Sequence, residues 1–224
     1  VATVVMRGRK IDRDSESTDL TSVVAGVALI FRHKLLLGAI SLDLFAVLFS
    51  GAVALLPVFA KDVLMVGPLG FGLLRAAPAI GAVVTALFMT QRPLVRHVGR
   101  RLFMAVGVFG AAVIAFGLSR DPILSFVVLL VLGAADMVSV YIRGTLVPLA
   151  TPDALRGRVV AVETVFIGAS NELGAFVAGS GAALLGAVPA VLVGGALTLA
   201  VTVTWWRLFP ALRAVDRLDG PLEP

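Results

Sequence analysis

The chain has 224 residues, of which 59% are hydrophobic and 15% charged; mean hydropathy is +1.02 and there is no cysteine. So little polar surface excludes a soluble domain and indicates an integral membrane protein, while the absence of thiols excludes disulfides, thiolate metal sites and thiol nucleophiles. The net charge of +5 does not indicate nucleic acid, because the basic residues sit in short loops beside apolar segments, without interleaved aromatic rings on which bases could stack.

In chain order, residues 1–6 (VATVVM) read as the tail of a preceding transmembrane helix, so the chain is expected to be a fragment. Residues 7–35 read as a cytoplasmic central loop. Its first part, RGRKIDRDSESTD, has too little apolar surface to pack. From Leu20 to Phe31 apolar residues recur at 20, 23, 24, 27, 30 and 31, followed by Arg32, His33 and Lys34, the pattern of an amphipathic helix lying in the membrane interface. Residues 36–209 form the expected six-helix bundle, with apolar segments at 36–58, 69–90, 102–118, 123–147, 158–184 and 187–207. At 1.5 Å per residue most of these reach the roughly 30 Å needed to span a bilayer. The third is short, and only Gly186, Ala187 and Pro189 divide the last two. Residues 210–224 read as a cytoplasmic tail.

Lys and Arg concentrate on the cytoplasmic side of membrane proteins. With the N-terminal region inside, the inside loops hold fifteen basic residues of 19, whereas the outside loops hold only Lys61 and Arg120. Arg75 and Arg143 lie within spans. Both ends are therefore expected in the cytoplasm of a multi-pass protein of the cell (inner) membrane, with Trp205 and Trp206 at the inner interface. An internal alignment points to a repeat: Asp43 with Gly51 and Pro57 in the first span matches Asp136 with Gly144 and Pro148 in the fourth. The expected fold class is an all-α membrane protein with six transmembrane helices arranged as two inverted three-helix repeats.

The charges inside the spans carry the functional reading. Asp or Arg at a helix centre costs roughly 2.5–3.5 kcal/mol to insert, against a return of about 0.3–0.6 from each Leu, Ile, Val or Phe. Such groups therefore face a protein interior or a watery cavity, where translocation pathways lie. Asp136 and Arg143, seven residues apart, share one helix face. By depth Arg143 and Glu163 share the cytoplasmic half and can pair, with snorkelling of Glu163 to the interface as the other reading, and Asp136 lies near Glu172; a carboxyl removed from water and set beside another favours its neutral form, so proton coupling is the expectation there. The pathway candidates are Asp43, Arg75, Asp136, Arg143, Asn171 and Glu172, with Arg75 and Arg143 as counter-charges or contacts for an anionic substrate. Small residues at 174, 178, 182 and 186, and at 190, 194, 198 and 202, suit close approach of the last two helices. Glu163, Arg156, Arg158, Arg100 and Arg101 are candidates for gating or ion pairs. Neither His33 nor His97 belongs to a metal cluster, no P-loop is present, and Gly133-Ala-Ala-Asp136 departs from the Gly-x-Gly-Asp pattern of intramembrane aspartyl proteases. No enzymatic activity, metal or cofactor is expected.

The stretches LDLFAVLFSGAVALLPVFAKDVL (42–64), GLLRAAPAIGA (72–82), LGAADMVSVYIRGTLVPLATPDALRGRV (132–159) and FIGASNELGAF (166–176) resemble the C-terminal half of a major facilitator superfamily transporter, in its enterobactin-exporter-like branch. The family signature Gly-x-x-x-Asp-Arg-x-Gly-Arg-Arg survives here only as Gly99, Arg100 and Arg101, with Arg92, Arg96 and His97 in the preceding positions. The resemblance implies a secondary transporter that alternates access against a missing N-terminal six-helix half of the same polypeptide. It further implies proton-gradient-driven efflux, as an antiporter, of a small organic molecule such as a siderophore or one of several drugs. The alternative is a non-transporting membrane scaffold or receptor on the same fold. The expected partners are the lipid bilayer, the small-molecule substrate and that missing half, with no nucleic acid.

Overall fold

The computed structural model describes residues 20–217 apart from 93 and 95. The expected helix tail at 1–6 and the polar stretch 7–19 lie outside the described residues, as do residues 218–224. Described elements are α1 (Leu20–Arg32), α2 (Lys34–Ser50), α3 (Leu56–Val58) with a π-helical turn (Phe59–Val63), α4 (Pro68–Gln91), α5 (Val98–Leu118), α6 (Pro122–Leu149), α7 (Arg156–Leu185), α8 (Ala187–Leu208) and α9 (Pro210–Ala214). Among the described residues the structure is wholly helical. Helices α4 to α8 are each long and apolar enough to cross a membrane, and Gly26–Arg32 with Lys34–Ser50 reach that length and hydropathy only as a bent pair, which makes five candidate spans or up to six. Gly26–Arg32 stands at 101° to Lys34–Ser50, the geometry of a helix lying across the foot of a span.

The first apolar segment, expected as one helix over 36–58, breaks at Gly51. Its φ of +51° places it in the left-handed region that ends helices at glycine. A side chain there would also meet the Cβ of Ala178 at 2.6 Å. The chain then turns and resumes as α3 and the π-helical turn. The third segment is longer than its apolar run suggested, because α5 starts at Val98. The His97 side chain at its N-cap makes no capping hydrogen bond. The tail caps the helix instead: Asp216 accepts from the His97 amide through Oδ1 (3.0 Å) and from the Val98 amide through its carbonyl (3.3 Å), and Val215 accepts from Gly99 (2.9 Å). These are the orphan donors that every helix start leaves. Gly99 must be glycine for this docking, since a Cβ would overlap the Leu212 carbonyl.

Two packing groups result. Helix α6 lies against α4 and α5, α2 lies against α7 and α8, and α5 meets α8. In the first, α4 and α6 cross backbone to backbone: a Cβ at Gly133 would overlap the Pro78 carbonyl, and one at Gly81 the Leu130 carbonyl. In the second, the two lines of small residues expected to bring α7 and α8 together instead close mainly on α2. Gly174 faces the Val47 and Leu48 carbonyls, Gly194 faces the Phe49 carbonyl, and Thr198 donates to the Ala46 carbonyl at 3.3 Å. Helices α7 and α8 touch as well, near Gly181 and Ala190. Without a hydrophobic force between helices in lipid, such close approach is the source of cohesion. Helix α4 is covered least, with 17% of its apolar window buried against 56% for α5.

Two expectations follow. Gly81→Ala and Gly133→Ala should each lower the thermal stability of the purified protein by about 1–3 kcal/mol, the usual cost of overpacking, while Gly72→Ala, with nothing within 4 Å, should not. Asp216→Ala should cost about 1 kcal/mol and speed amide exchange at residues 97–99, as expected for loss of a helix cap.

Candidate functional site

Three buried charges from three helices meet between the two packing groups. Arg143 of α6 forms an ion pair through one terminal nitrogen with Asp43 Oδ1 of α2 (2.7 Å) and donates through the other to Glu163 Oε1 of α7 (3.3 Å). All are removed from solvent, with exposures of 4%, 5% and 8% for Arg143, Asp43 and Glu163. One turn before Arg143, the hydroxyl of Ser139 accepts from its Nε at 3.4 Å. The planar guanidinium fork suits this task, because it reaches several acceptors in one plane and stays charged. Here it ties α2, α6 and α7 together beside the apolar clusters that Ile142, Leu146 and Val147 of α6 form with those helices.

Asp136 lies two turns before Arg143 on α6. It is half-buried and makes no hydrogen bond or ion pair with any described residue. Its side chain lines a small cavity together with Asp43, Ser139, Ala46, Val106 and Phe109. The volume is ≈ 10 Å³, close to the space that one water requires. Two carboxyls from α2 and α6 thus face one small, mostly apolar cavity, and one of them is also paired with Arg143. The cluster of Asp43, Asp136, Glu163 and Arg143 holds three acids to one base.

The structure sorts the remaining candidates. Arg143 and Glu163, expected to share a depth, are paired. Asp136 and Glu172, expected near each other, are not brought together: Glu172 is exposed on α7, and Asp136 faces α2 instead. The reason is azimuth, since Glu172 lies 200° around α7 from Gly174, which packs on α2. Asn171 is exposed and donates to its own helix at the Ile167 carbonyl, 3.0 Å. Arg75 is exposed on α4 with no partner among the described residues. Arg156 binds Asp153 (2.6 Å) and the Pro148 carbonyl (2.9 Å), closing the turn between α6 and α7. Arg158 packs beside Gly26 of α1, while Arg100 is exposed and Arg101 half-buried in the first turn of α5. No group of three His, Asp or Glu that could hold a metal occurs among the described residues.

Sequence reasoning missed the direct bond between Asp43 and Arg143 and the parts played by Ser139 and Asp216. A depth signal for the first was present. Asp43 lies nine residues into α2, Arg143 six before the end of α6 and Glu163 seven into α7, so all three sit about 9–14 Å from the same end of the bundle.

Removing one member of a buried ion cluster strands the others, at a cost of about 3–5 kcal/mol. Arg143→Met should therefore lower thermal stability by that order. The quadruple change Asp43→Asn, Asp136→Asn, Arg143→Met and Glu163→Gln should recover most of it, because no charge of the cluster is left unpaired; unfolding in detergent, followed by circular dichroism, checks both.

No curated protein and no solved structure matches the chain. The model of a family described as transmembrane secretion effector, MFS_3, matches residues 31–220, which include every helix that the bundle and its charge cluster use. The chain therefore belongs to this family of major facilitator-type transporters and is a multi-pass membrane protein.

Proposed function

We propose that the chain is the C-terminal half of a proton-coupled exporter that moves a small organic molecule by alternating access. The observation that carries this reading is the placement of Asp43 and Asp136 on one water-sized cavity, with Arg143 bound to Asp43 at its edge. Three carboxyls with one guanidinium carry a formal excess of two negative charges, and in an apolar interior uncompensated charge is costly. A proton is the smallest ligand that removes such an excess. It enters at Asp136, which is partly accessible and unpaired, and passes across the cavity to Asp43. Once neutral, Asp43 no longer holds its arm of Arg143, and the link between α2 and α6 loosens. Those two helices belong to different packing groups, so the event alters the contact on which a rocking motion would turn.

The arrangement of contacts supports a three-plus-three organisation. Exchanging α2 with α6, α4 with α7 and α5 with α8 maps the pairs α2 with α7 and α2 with α8 onto α6 with α4 and α6 with α5, and leaves α5 with α8 unchanged. Asp43 and Asp136 are equivalent under that exchange, as their alignment suggested. A second six-helix half would complete the pathway by covering the sparsely buried faces of α4 and α7. Export of a siderophore or drug-like molecule, and residence in the inner membrane with both ends cytoplasmic, rest on the family resemblance and on the distribution of basic residues.

In proteoliposomes holding the complete transporter, Asp136→Asn should abolish accumulation driven by a pH gradient, at least tenfold, while counterflow of labelled substrate persists. Gradient-driven transport at the normal rate in that variant would show the coupling assignment to be wrong.

A further inference from the structure

The structure leaves one intramembrane cation without an internal role. Arg143 is committed to two carboxylates, whereas Arg75 of α4 is exposed and has no acid beside it among the described residues. The acids of the buried cluster are taken up around Arg143, and Glu172 lies on α7, which does not pack against α4. Arg75 is seven residues from the start of a 24-residue apolar helix, about 10 Å along it at 1.5 Å per residue.

The surface of α4 divides into three sectors. Leu74, Ala77 and Gly81 are buried against α6. Leu69, Leu73, Ile80, Val84 and Leu87 form a bulky aliphatic sector, from 43% to 87% exposed, suited to lipid tails. Arg75 belongs to neither. At 100° per residue it falls with Gly72, Ala79, Ala82 and Ala86, a sector of small side chains that leaves its guanidinium open to whatever approaches. The chemistry of that approach is set by the fork of Arg, whose paired N–H groups match the two oxygens of a carboxylate. An uncompensated Arg is costly against lipid, and the segregation of bulky side chains to the neighbouring sector turns it away from the tails.

We propose that Arg75 is the substrate-recognition residue of this half and that the molecule transported carries a carboxylate or a similar planar oxyanion. This inference rests on the transporter reading above and adds the chemical class of substrate to it. The smooth sector lets the ligand approach the helix closely while Arg75 fixes the orientation of its anionic end.

The test uses a matched pair of dyes, rhodamine B with a free carboxylate and its ethyl ester without one, and efflux from proteoliposomes of the complete transporter. The wild type should export the acid in preference to the ester. Arg75→Gln should lower export of the acid at least tenfold more than export of the ester, as expected for loss of a charge-assisted hydrogen bond, and Arg75→Lys should restore part of the preference. Equal losses for the two dyes would assign Arg75 to pairing with an acid of the other half and overturn the proposal. So would no loss of either, a wild-type preference for the ester, or export of neither dye. Acid preference that survives in Asp136→Asn together with unchanged gradient dependence would leave Arg75 in its role and sink only the proton-coupling assignment.

Discussion

The bundle is organised around one guanidinium. Arg143 reaches Asp43 and Glu163 from α6 and sets the height at which α2, α6 and α7 meet, while the packing of α5 on α8 also joins the α4–α5–α6 group to the α2–α7–α8 group. An ion cluster of this kind is poor evidence for stability in itself, because desolvation offsets most of the attraction. Its value is directional. It specifies which helices meet and at what height, and it makes the join sensitive to the protonation of its acids. A joint made only of Leu and Val would hold the same helices without that sensitivity.

The remaining cohesion comes from backbone proximity. Gly81 and Gly133 let α4 and α6 cross at the backbone, and Gly174, Gly194 and Thr198 let α7 and α8 close on α2. With apolar tails on both sides of the balance, tight packing distinguishes helix from lipid where hydrophobicity cannot. The consequence is a bundle closely packed within each group and joined between groups by the apolar packing of α5 on α8, with Gly110, Gly117 and Gly195 at that contact, and by the Arg143 cluster. The break at Gly51 belongs to the same economy of space, since the turn lies against Ala178 and no side chain would fit. At the other end the chain closes on itself, with Asp216 capping α5 and the guanidinium of Arg213 5.2 Å from the centre of the Trp206 ring.

The faces left open are as informative as those covered. Helices α4 and α7 each carry an exposed sector of small residues beside an exposed sector of bulky ones, and the charged and polar side chains Arg75, Asn171 and Glu172 are found in or beside the small sectors. A helix surrounded by lipid alone has no reason to segregate side chains in this way. In the proposed function, the segregation is the reason to set α4 and α7 at the flanks of a pathway and the Arg143 cluster at its hinge.

Much of this was readable from the amino-acid sequence because hydrophobic length is a local property. Apolar runs of about 20 residues, loops rich in arginine and glycines at run ends are visible without knowing what packs on what, and the apolar helices, the separate helix before Lys34 and the shared depth of Arg143 and Glu163 follow from counting along the chain. Counting alone could not place Asp43 beside Arg143 or separate Glu172 from Asp136, because the direction a side chain faces depends on which helices adjoin it. Nor could it show that the small-residue lines of α7 and α8 grip α2, or that an acid 119 residues away would cap α5. The sequence by itself determined the class of protein, the number of segments and the height of each charge. Only the tertiary structure decided the partner of each charge, because partners depend on rotation and contact between helices far apart in the chain.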